Sequence, residues 1–419
     1  MKVELLYGKK GLSVSLPDKT KVIEPIFIDK LRNELDSIKK SITDPMSGIS
    51  LKKSSSKSKT IGISVCDITR PMPIKKVLPV VLSELSEIKE ENIKIFIANG
   101  THRECTDAEL ENMLGKDVFR AQYQIINHDA FNENNLTDLG TTSSGIPVSL
   151  NSDWLNCDYK ITIGLVEPHF FAGFSGGPKM VAPGLAGLET IMNLHDYDKI
   201  NNKKSTWGLI EDNPIHKQIS EISLLNKPDF SIDLTLNREN KITGIYSGEL
   251  FSEHTLACQD VKKDSMKKTD KLYDLVITSN SGYPLDQNLY QSIKGVSAAA
   301  QITKPGGMII CVSECSDGIP FNSNYEKLLE SVNTPEEYLL KLKEQAYLEL
   351  DQWQVQVQAQ IQENNKVMLY SKLNEKDVSK SHLLKINNIE NVIEELKRDT
   401  KKPSICILPE GPQTIPYKI

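Results

Sequence analysis

The stretch from Glu167 to His195, EPHFFAGFSGGPKMVAPGLAGLETIMNLH, holds the densest set of groups able to do chemistry. The chain has seven histidines in 419 residues, and His169 and His195 both fall here, with Lys179 between them. Two imidazoles and an amine, on a backbone that glycine lets approach a ligand closely, suggest a cofactor site. Gly173, Gly176 and Gly177 could cradle a phosphate with exposed backbone N–H groups. Neither GxxxxGK[ST] nor GxGxxG occurs in this stretch, so the glycines alone do not specify one. Lys179 could be a phosphate counter-charge, or a nucleophile if burial lowers its pKa. His195 follows the helical stretch LETIMNL and could be a plain surface histidine or a single metal ligand. HxxxH and HExxH spacings are missing, which speaks against a zinc hydrolase.

Other candidates lie elsewhere. Cys66-Asp67-Ile68-Thr69-Arg70-Pro71 ends an apolar run with an aspartate and an arginine, costly to bury without partners. Arg70 offers a two-pronged donor to a carboxylate or phosphate, or simply pairs with Asp67. In Ala98-Asn99-Gly100-Thr101-His102-Arg103, the Asn-Gly turn leaves His102 at a strand end, as a catalytic or a solvated group. Gln291 and Lys294 share one helix face and could meet an anionic substrate or only water. Trp353 reads as packing, or as the wall of a small apolar pocket.

The elements that must carry these groups alternate. Apolar runs at 61–67, 93–100, around Tyr123 and at 158–168 read as strands, with helices over Ile74–Glu90 and 107–114 between them. This rhythm implies a parallel sheet covered by helices, with ligands beyond the carboxyl ends of its strands. Asp67, Arg70, His102 and His169 all fall at or just past such ends. A second unit repeats the pattern: strands at 273–284, 306–315, 367–371 and 404–411, helices over 288–304, 323–362 and Ile389–Arg398. At the start, VELLYG and LSVSL alternate as strands, Phe27–Ile42 is amphipathic, and 44–60 reads as an exposed loop. The charged stretch VKKDSMKKTDK marks a boundary near 260–271.

Composition narrows the function classes. The net charge of -6 argues against a nucleic-acid binder. No apolar run is long enough to span a bilayer, and MKVELLYGKKGLSVSLP has no signal core, so the expected location is cytoplasmic. The seven cysteines are scattered with no CxxC pair, and are expected to be buried free thiols.

Taken together, the motifs resemble the nickel-dependent lactate racemase family. DITRP (67–71), NGTHR (99–103), EPHFFAGFSGGPKMVAPGLAG (167–187), MNLHD (192–196), LYQSIKG (289–295), DQWQ (351–354) and LPEGPQTIPY (408–417) match in the family's order through nearly the whole chain. The resemblance implies an α/β fold with two domains of mostly parallel sheet around an interdomain cleft. Residues 1–268 would form the catalytic domain, 400–419 would return to it, and 269–399 would form the substrate side. It implies a nickel-pincer nucleotide, a pyridinium mononucleotide with two sulfur-bearing arms, made by biosynthesis proteins that meet the chain transiently. Lys179 would bond covalently to one arm and His195 would bind the nickel, a tetragonal soft-ligand site. His102 and His169 would be the acid/base pair. Asp67, Ile68, Thr69 and Arg70 would contact the cofactor, with Arg70 also near the substrate. Gln291, Lys294, Tyr290 and Trp353 would be substrate-side groups.

The implied chemistry suits such groups. Removing the C2 proton of a 2-hydroxy acid would place a carbanion beside a carboxylate. Moving a hydride to the cofactor avoids it, through a flat 2-oxo acid, with one histidine on each face to take or give the hydroxyl proton. Histidines with a pKa of about 6.5 serve both roles near neutrality. The expected activity is interconversion of D- and L-lactate by this isomerase. The alternatives are another 2-hydroxy acid (malate, a longer aliphatic acid, an aryl-lactate or a sugar acid) and, more remotely, a non-catalytic metabolite or nickel sensor.

Overall fold

A computed structural model describes residues 1–320, 323–345 and 348–418. The chain divides into two compact units. The first comprises Phe27–His195 and Lys203–Lys262; the second comprises Met1–Ile26, Asp196–Asn202 and the described residues from Lys263 onward.

The first unit is built on a six-stranded sheet. Its order is Ile242–Gly248, Phe230–Leu236, Tyr159–Leu165, Ile61–Cys66, Ile93–Ala98, Gln124–Asn127. Five of these strands run parallel, and Ile242–Gly248 joins antiparallel at one edge. IGISVC and YKITIGL are buried at every position, as a strand covered on both faces must be, and they pair at the centre. The helix Ile74–Glu84 buries Val77, Leu78 and Val81 against this sheet, in one core with Ile61, Ile63, Ile95 and Ile161. The expected Ile74–Glu90 helix stops six residues short, and the chain turns before the next strand. The helix Asp107–Leu114 forms as expected and starts on a capping box: Thr106 takes the Glu109 N–H while the Glu109 side chain takes the Thr106 N–H.

The second unit holds another six-stranded sheet, parallel throughout: Leu384–Ile386, Lys366–Tyr370, Thr303–Val312, Tyr273–Ser279, Ile405–Leu408, Lys21–Val22. The sheets divide the chain differently from the expectation in two places. Residues 400–419 do not return to the first domain: Ile405–Leu408 lies inside this second sheet, with Leu275 opposite Ile405. The start of the chain also contributes to the second sheet, since Lys21–Val22 closes its edge opposite Cys406 and Ile407. The physical reason is burial. ICIL is covered at all positions and needs sheet partners on both sides, which Tyr273–Ser279 and Lys21–Val22 provide. The two units divide between Lys262 and Lys263, within the expected 260–271, and the crossing is regular structure: the helix Leu250–Ser265 runs straight into the strand Met266–Thr269, which pairs with Ile415–Lys418.

Smaller differences have similar causes. The strands Lys2–Leu5 and Leu12–Ser15 pair as an antiparallel hairpin, in keeping with their alternation. The amphipathic stretch becomes helical only at Glu34–Thr43, where Ile38 and Ile42 face the core. The serine- and lysine-rich loop contains a short helix, Leu51–Ser55, anchored by a fully buried Leu51. In the helix Gln352–Asn364 four glutamines, Gln352, Gln354, Gln356 and Gln358, are buried: Gln356 donates to the Tyr197 carbonyl at 2.9 Å and Gln358 to the Ser381 carbonyl at 2.7 Å. All seven cysteines are buried and free, as expected from their spacing.

Candidate functional site

In the first sheet the strand order reverses beside Ile61–Cys66: the following strand Ile93–Ala98 lies on one side and Tyr159–Leu165 on the other. Such a switch point opens a crevice at the carboxyl ends of the strands. Asp67 follows the first of these strands, His102 follows the second after a turn, and Pro168–His169 follows the third.

Asp67 is buried, and His102 donates from Nδ1 to its Oδ2 at 2.8 Å. Thr69 Oγ1 donates to the other oxygen at 2.7 Å, and Arg70 Nη1 reaches Thr69 Oγ1 at 3.4 Å. Asp67, Thr69, Arg70 and His102 therefore form one connected group, with Ile68 on the exposed side of the turn. Burial pushes the Asp67 carboxyl up, but the His102 hydrogen bond and the His102 and Arg70 charges outweigh it and hold the pKa below its ordinary value. Ionised Asp67 fixes the imidazole tautomer: Nδ1 carries the proton and Nε2 the lone pair. The Asn99–His102 turn is held by Asn99, whose amide donates to the His128 carbonyl at 3.1 Å, and by the Gly100 N–H on the Gly184 carbonyl at 3.1 Å.

Asp67→Asn is expected to lower activity through the His102 tautomer, while the fold persists. A folded pKa below the unfolded one gives stability that is present above the ordinary carboxylate pKa of about 3.9 and lost as pH falls through the folded value. The difference in melting temperature between wild type and Asp67→Asn should therefore close in acid; a difference that is constant from pH 7 to pH 3 contradicts this role.

His169 is held differently. Its Nδ1 accepts the Ala172 N–H at 3.3 Å, so in the neutral ring Nε2 carries the proton. The ring stacks on Phe170 at 5.1 Å and meets the edge of Phe171 at 4.5 Å. Gly173, opposite His169 in a two-residue ladder, has φ +83, and a Cβ there would stand 2.2 Å from the Leu209 carbonyl oxygen. His195 ends the helix Leu188–Leu194, is buried, and donates from Nδ1 to the Ile191 carbonyl at 2.7 Å. Its lone pair is then on Nε2, the arrangement of a metal-binding histidine whose second nitrogen is fixed by a backbone carbonyl. Phe171 touches both rings, lying 5.1 Å from His195.

Lys179, half-buried, sits in the single turn Gly177–Met180. That turn is fastened to the strands below it. Ser64 Oγ donates to the Met180 carbonyl at 2.9 Å, Ser175 Oγ donates to the Leu165 carbonyl at 2.7 Å, and the Gly184 N–H reaches the Lys179 carbonyl at 3.1 Å. The glycines do not all serve as a phosphate cradle. The Gly177 N–H points inward to Asp233 Oδ1 at 3.1 Å. Asp233 and its partner His254 are absent from the candidates read off the sequence; the available signal is an aspartate in the middle of the apolar strand FSIDLTL.

The remaining candidates belong to the second unit. The helix Leu289–Ala300 starts on Asn288, whose side chain accepts the Gln291 N–H at 3.0 Å. Gln291 and Lys294 are half-buried on it, three residues apart as expected for one face. Tyr290 donates to Asp351 Oδ1 at 3.2 Å, its ring meets Tyr325 edge-on at 5.2 Å, and Gln354 donates to its carbonyl. Trp353 is buried beside them. The structure thus brings Tyr290, Asp351 and Trp353 together in that unit, and Asp67, Thr69, Arg70 and His102 together in the first.

Among the described residues, no three His, Cys, Asp or Glu side chains are grouped to hold a metal ion. None of the described helices is long and apolar enough to cross a membrane.

A parallel α/β unit that carries His102, His169 and Lys179 in the segments after its strands, together with a second parallel α/β unit, defines the class. Residues 7–208 match the family model of the lactate racemase N-terminal domain, and residues 268–415 match that of the lactate racemase C-terminal domain. The chain belongs to the lactate racemase family, a family of isomerases. It is 34% identical over 376 residues to the lactate racemase of Thermoanaerobacterium thermosaccharolyticum, covering 88% of this chain and 87% of that one. It is 31% identical over 420 residues to the lactate racemase of Lactiplantibacillus plantarum, covering 98% of each. The solved lactate racemase apoprotein from T. thermosaccharolyticum superposes with a TM-score of 0.93 at 30% identity, over 99% of this chain and 100% of that one. A protein from Thermotoga maritima shares the fold alone, with a TM-score of 0.67 at 20% identity over 94% of this chain and 100% of that one.

Proposed function

We propose that this protein racemises lactate, using a nickel-pincer nucleotide bonded to Lys179 and ligated through nickel by His195. The observation that carries the reading is that two imidazoles in one unit are each oriented through Nδ1, His102 by the Asp67 carboxylate and His169 by the Ala172 N–H. An enzyme that works on both enantiomers needs an oriented acid/base group for the hydroxyl proton of each.

The residues fit the implied cofactor. His195 offers one nitrogen fixed by a backbone carbonyl, and no protein cage surrounds it among the described residues, so the metal would bring most of its own ligands. Lys179 stands on a turn fixed on both sides, as a covalent tether requires. Asp67, Ile68, Thr69 and Arg70 would line the group. When bound, the cofactor supplies a hydride acceptor for C2. The chain's own work is the rest. His102 takes the hydroxyl proton of one enantiomer and His169 that of the other, each contributing about 10²–10⁴-fold. Arg70 binds the carboxylate and orients C2, and the substrate-side roles of Gln291, Lys294, Tyr290 and Trp353 rest on the family resemblance. The substrate is a small 2-hydroxy acid; cofactor biosynthesis proteins are transient partners, neither nucleic acid nor membrane takes part, and the location is cytoplasmic.

The test is to purify protein made together with the cofactor pathway and incubate it with single enantiomers of lactate, malate, longer aliphatic, aryl and sugar 2-hydroxy acids. Lactate should lose optical purity fastest; a stable enantiomer throughout the panel contradicts the reading. In the same preparation His195→Ala should bind about 10–100-fold less nickel, measured by metal analysis. Full nickel occupancy in that variant removes His195 as the ligand.

A further inference from the structure

We propose that Asp233, braced by His254, is a positioning residue that holds the Gly176–Gly177 turn and so presents the Lys179 amine for its covalent bond. This inference rests on the reading of Lys179 as the cofactor tether.

Asp233 lies inside the buried strand Phe230–Leu236, between Ile232 and Leu234, and is fully buried. An ion pair in such a place is no better for stability than apolar packing of the same volume, and removing one partner is costly. Its presence calls for a task that an apolar residue cannot do. Both carboxylate oxygens are engaged. Oδ1 accepts the Gly177 N–H at 3.1 Å, and Oδ2 accepts the His254 Nδ1–H at 2.7 Å.

His254, in the helix Leu250–Ser265, is itself braced. Its Nε2 lies 3.4 Å from Cys258 Sγ, one turn further along, and its ring stacks on His216 at 6.0 Å and 9°. Burial disfavours the imidazolium, but Cys258 and Asp233 outweigh it and hold its pKa well above the ordinary value. His216 stays neutral, drawn down to about 3 by burial and by the charges of His254 and Lys179. The adjacent Glu253 carboxyl is pushed well up by burial and Asp233, and accepts from Ser231 at 2.6 Å.

The glycines are shaped to this pair. Gly176 and Gly177 have φ +75 and +48, a left-handed path that L side chains resist. A Cβ at Gly177 would stand 2.4 Å from the His254 ring, and one at Gly164 would stand 2.3 Å from Asp233 Oδ1. Three glycines therefore make room for the carboxylate and imidazole directly under the turn. Without Asp233 the Gly177 N–H has no acceptor from that strand, two residues before the lysine.

Two readouts test this, one of them independent of the cofactor. Amide hydrogen exchange of the 172–182 peptide in cofactor-free protein reads the turn itself, and intact mass of co-produced protein reads covalent loading. Asp233→Ala should exchange about 10-fold faster or more at this peptide and load about 10-fold less. Asp233→Asn keeps an acceptor for Gly177 and should recover both within about threefold, which a general loss of packing would not predict. Asp233→Val/His254→Leu replaces both charges with apolar groups and guards against misfolding; it should melt as a folded protein yet show the Asp233→Ala behaviour. Wild-type exchange in the folded double variant overturns the proposal, as does wild-type loading there when Lys179→Ala loads nothing. If Lys179→Ala carries full adduct, the tether reading fails and the role assigned to Asp233 falls with it, whereas the exchange data alone judge the hold on the turn.

Discussion

Lys179→Ala is expected to carry no cofactor adduct and to racemise lactate no faster than buffer. The effect should be total, because the turn that carries this amine is fixed from the Ser64 and Ser175 sides, and no neighbouring residue of the turn could offer a replacement amine: the sequence around it reads GGPKMVAPG. The check is intact-protein mass of variant and wild type made together with the cofactor pathway. Circular dichroism should show the same fold, since a half-buried lysine side chain adds little to the core. An adduct of full occupancy on the alanine variant refutes the tether.

The second large effect is expected at the two histidines. His102→Ala and His169→Ala should each lower racemisation by about 10²–10⁴-fold, with the adduct and nickel still present. The asymmetry between them is informative. His102 is oriented by a carboxylate and His169 by a backbone N–H and two phenylalanine rings, so Asp67→Asn should injure the His102-dependent step alone. Initial rates measured separately from each enantiomer of lactate read this out. Near-normal rates in both directions for either alanine variant contradict the two-base scheme.

Much of this site is legible in the amino-acid sequence. Asp67, His102 and His169 each end or follow an apolar run, and a parallel sheet must put such positions at its carboxyl edge. The runs themselves, IGISVC, IKIFIA and YKITIGL, are strands because β-branched residues recur at every second position and nearly every position is buried. What stays hidden depends on contacts distant in sequence. The edge strand Lys21–Val22 finds its partner at Cys406 and Ile407, and no local pattern in KVI announces that. ICIL reads correctly as a strand, but its place in the second sheet depends on which neighbours remain unpaired. Gly177 resembles a phosphate-binding glycine because its amide partner, Asp233, lies 56 residues away. The glutamines of the helix Gln352–Asn364 look polar enough for a solvated face, but several are sequestered by carbonyls of other segments, including Tyr197 and Ser381.

The central claim is that C2 of the substrate inverts by passing a hydride, while the histidines handle only the hydroxyl proton. Incubating the loaded protein with one enantiomer of lactate deuterated at C2, in ordinary water, tests this most directly. The account predicts lactate of the opposite hand that still carries deuterium at C2. Opposite-hand lactate with C2 hydrogen drawn from solvent would contradict it, because the label would then have left as a proton.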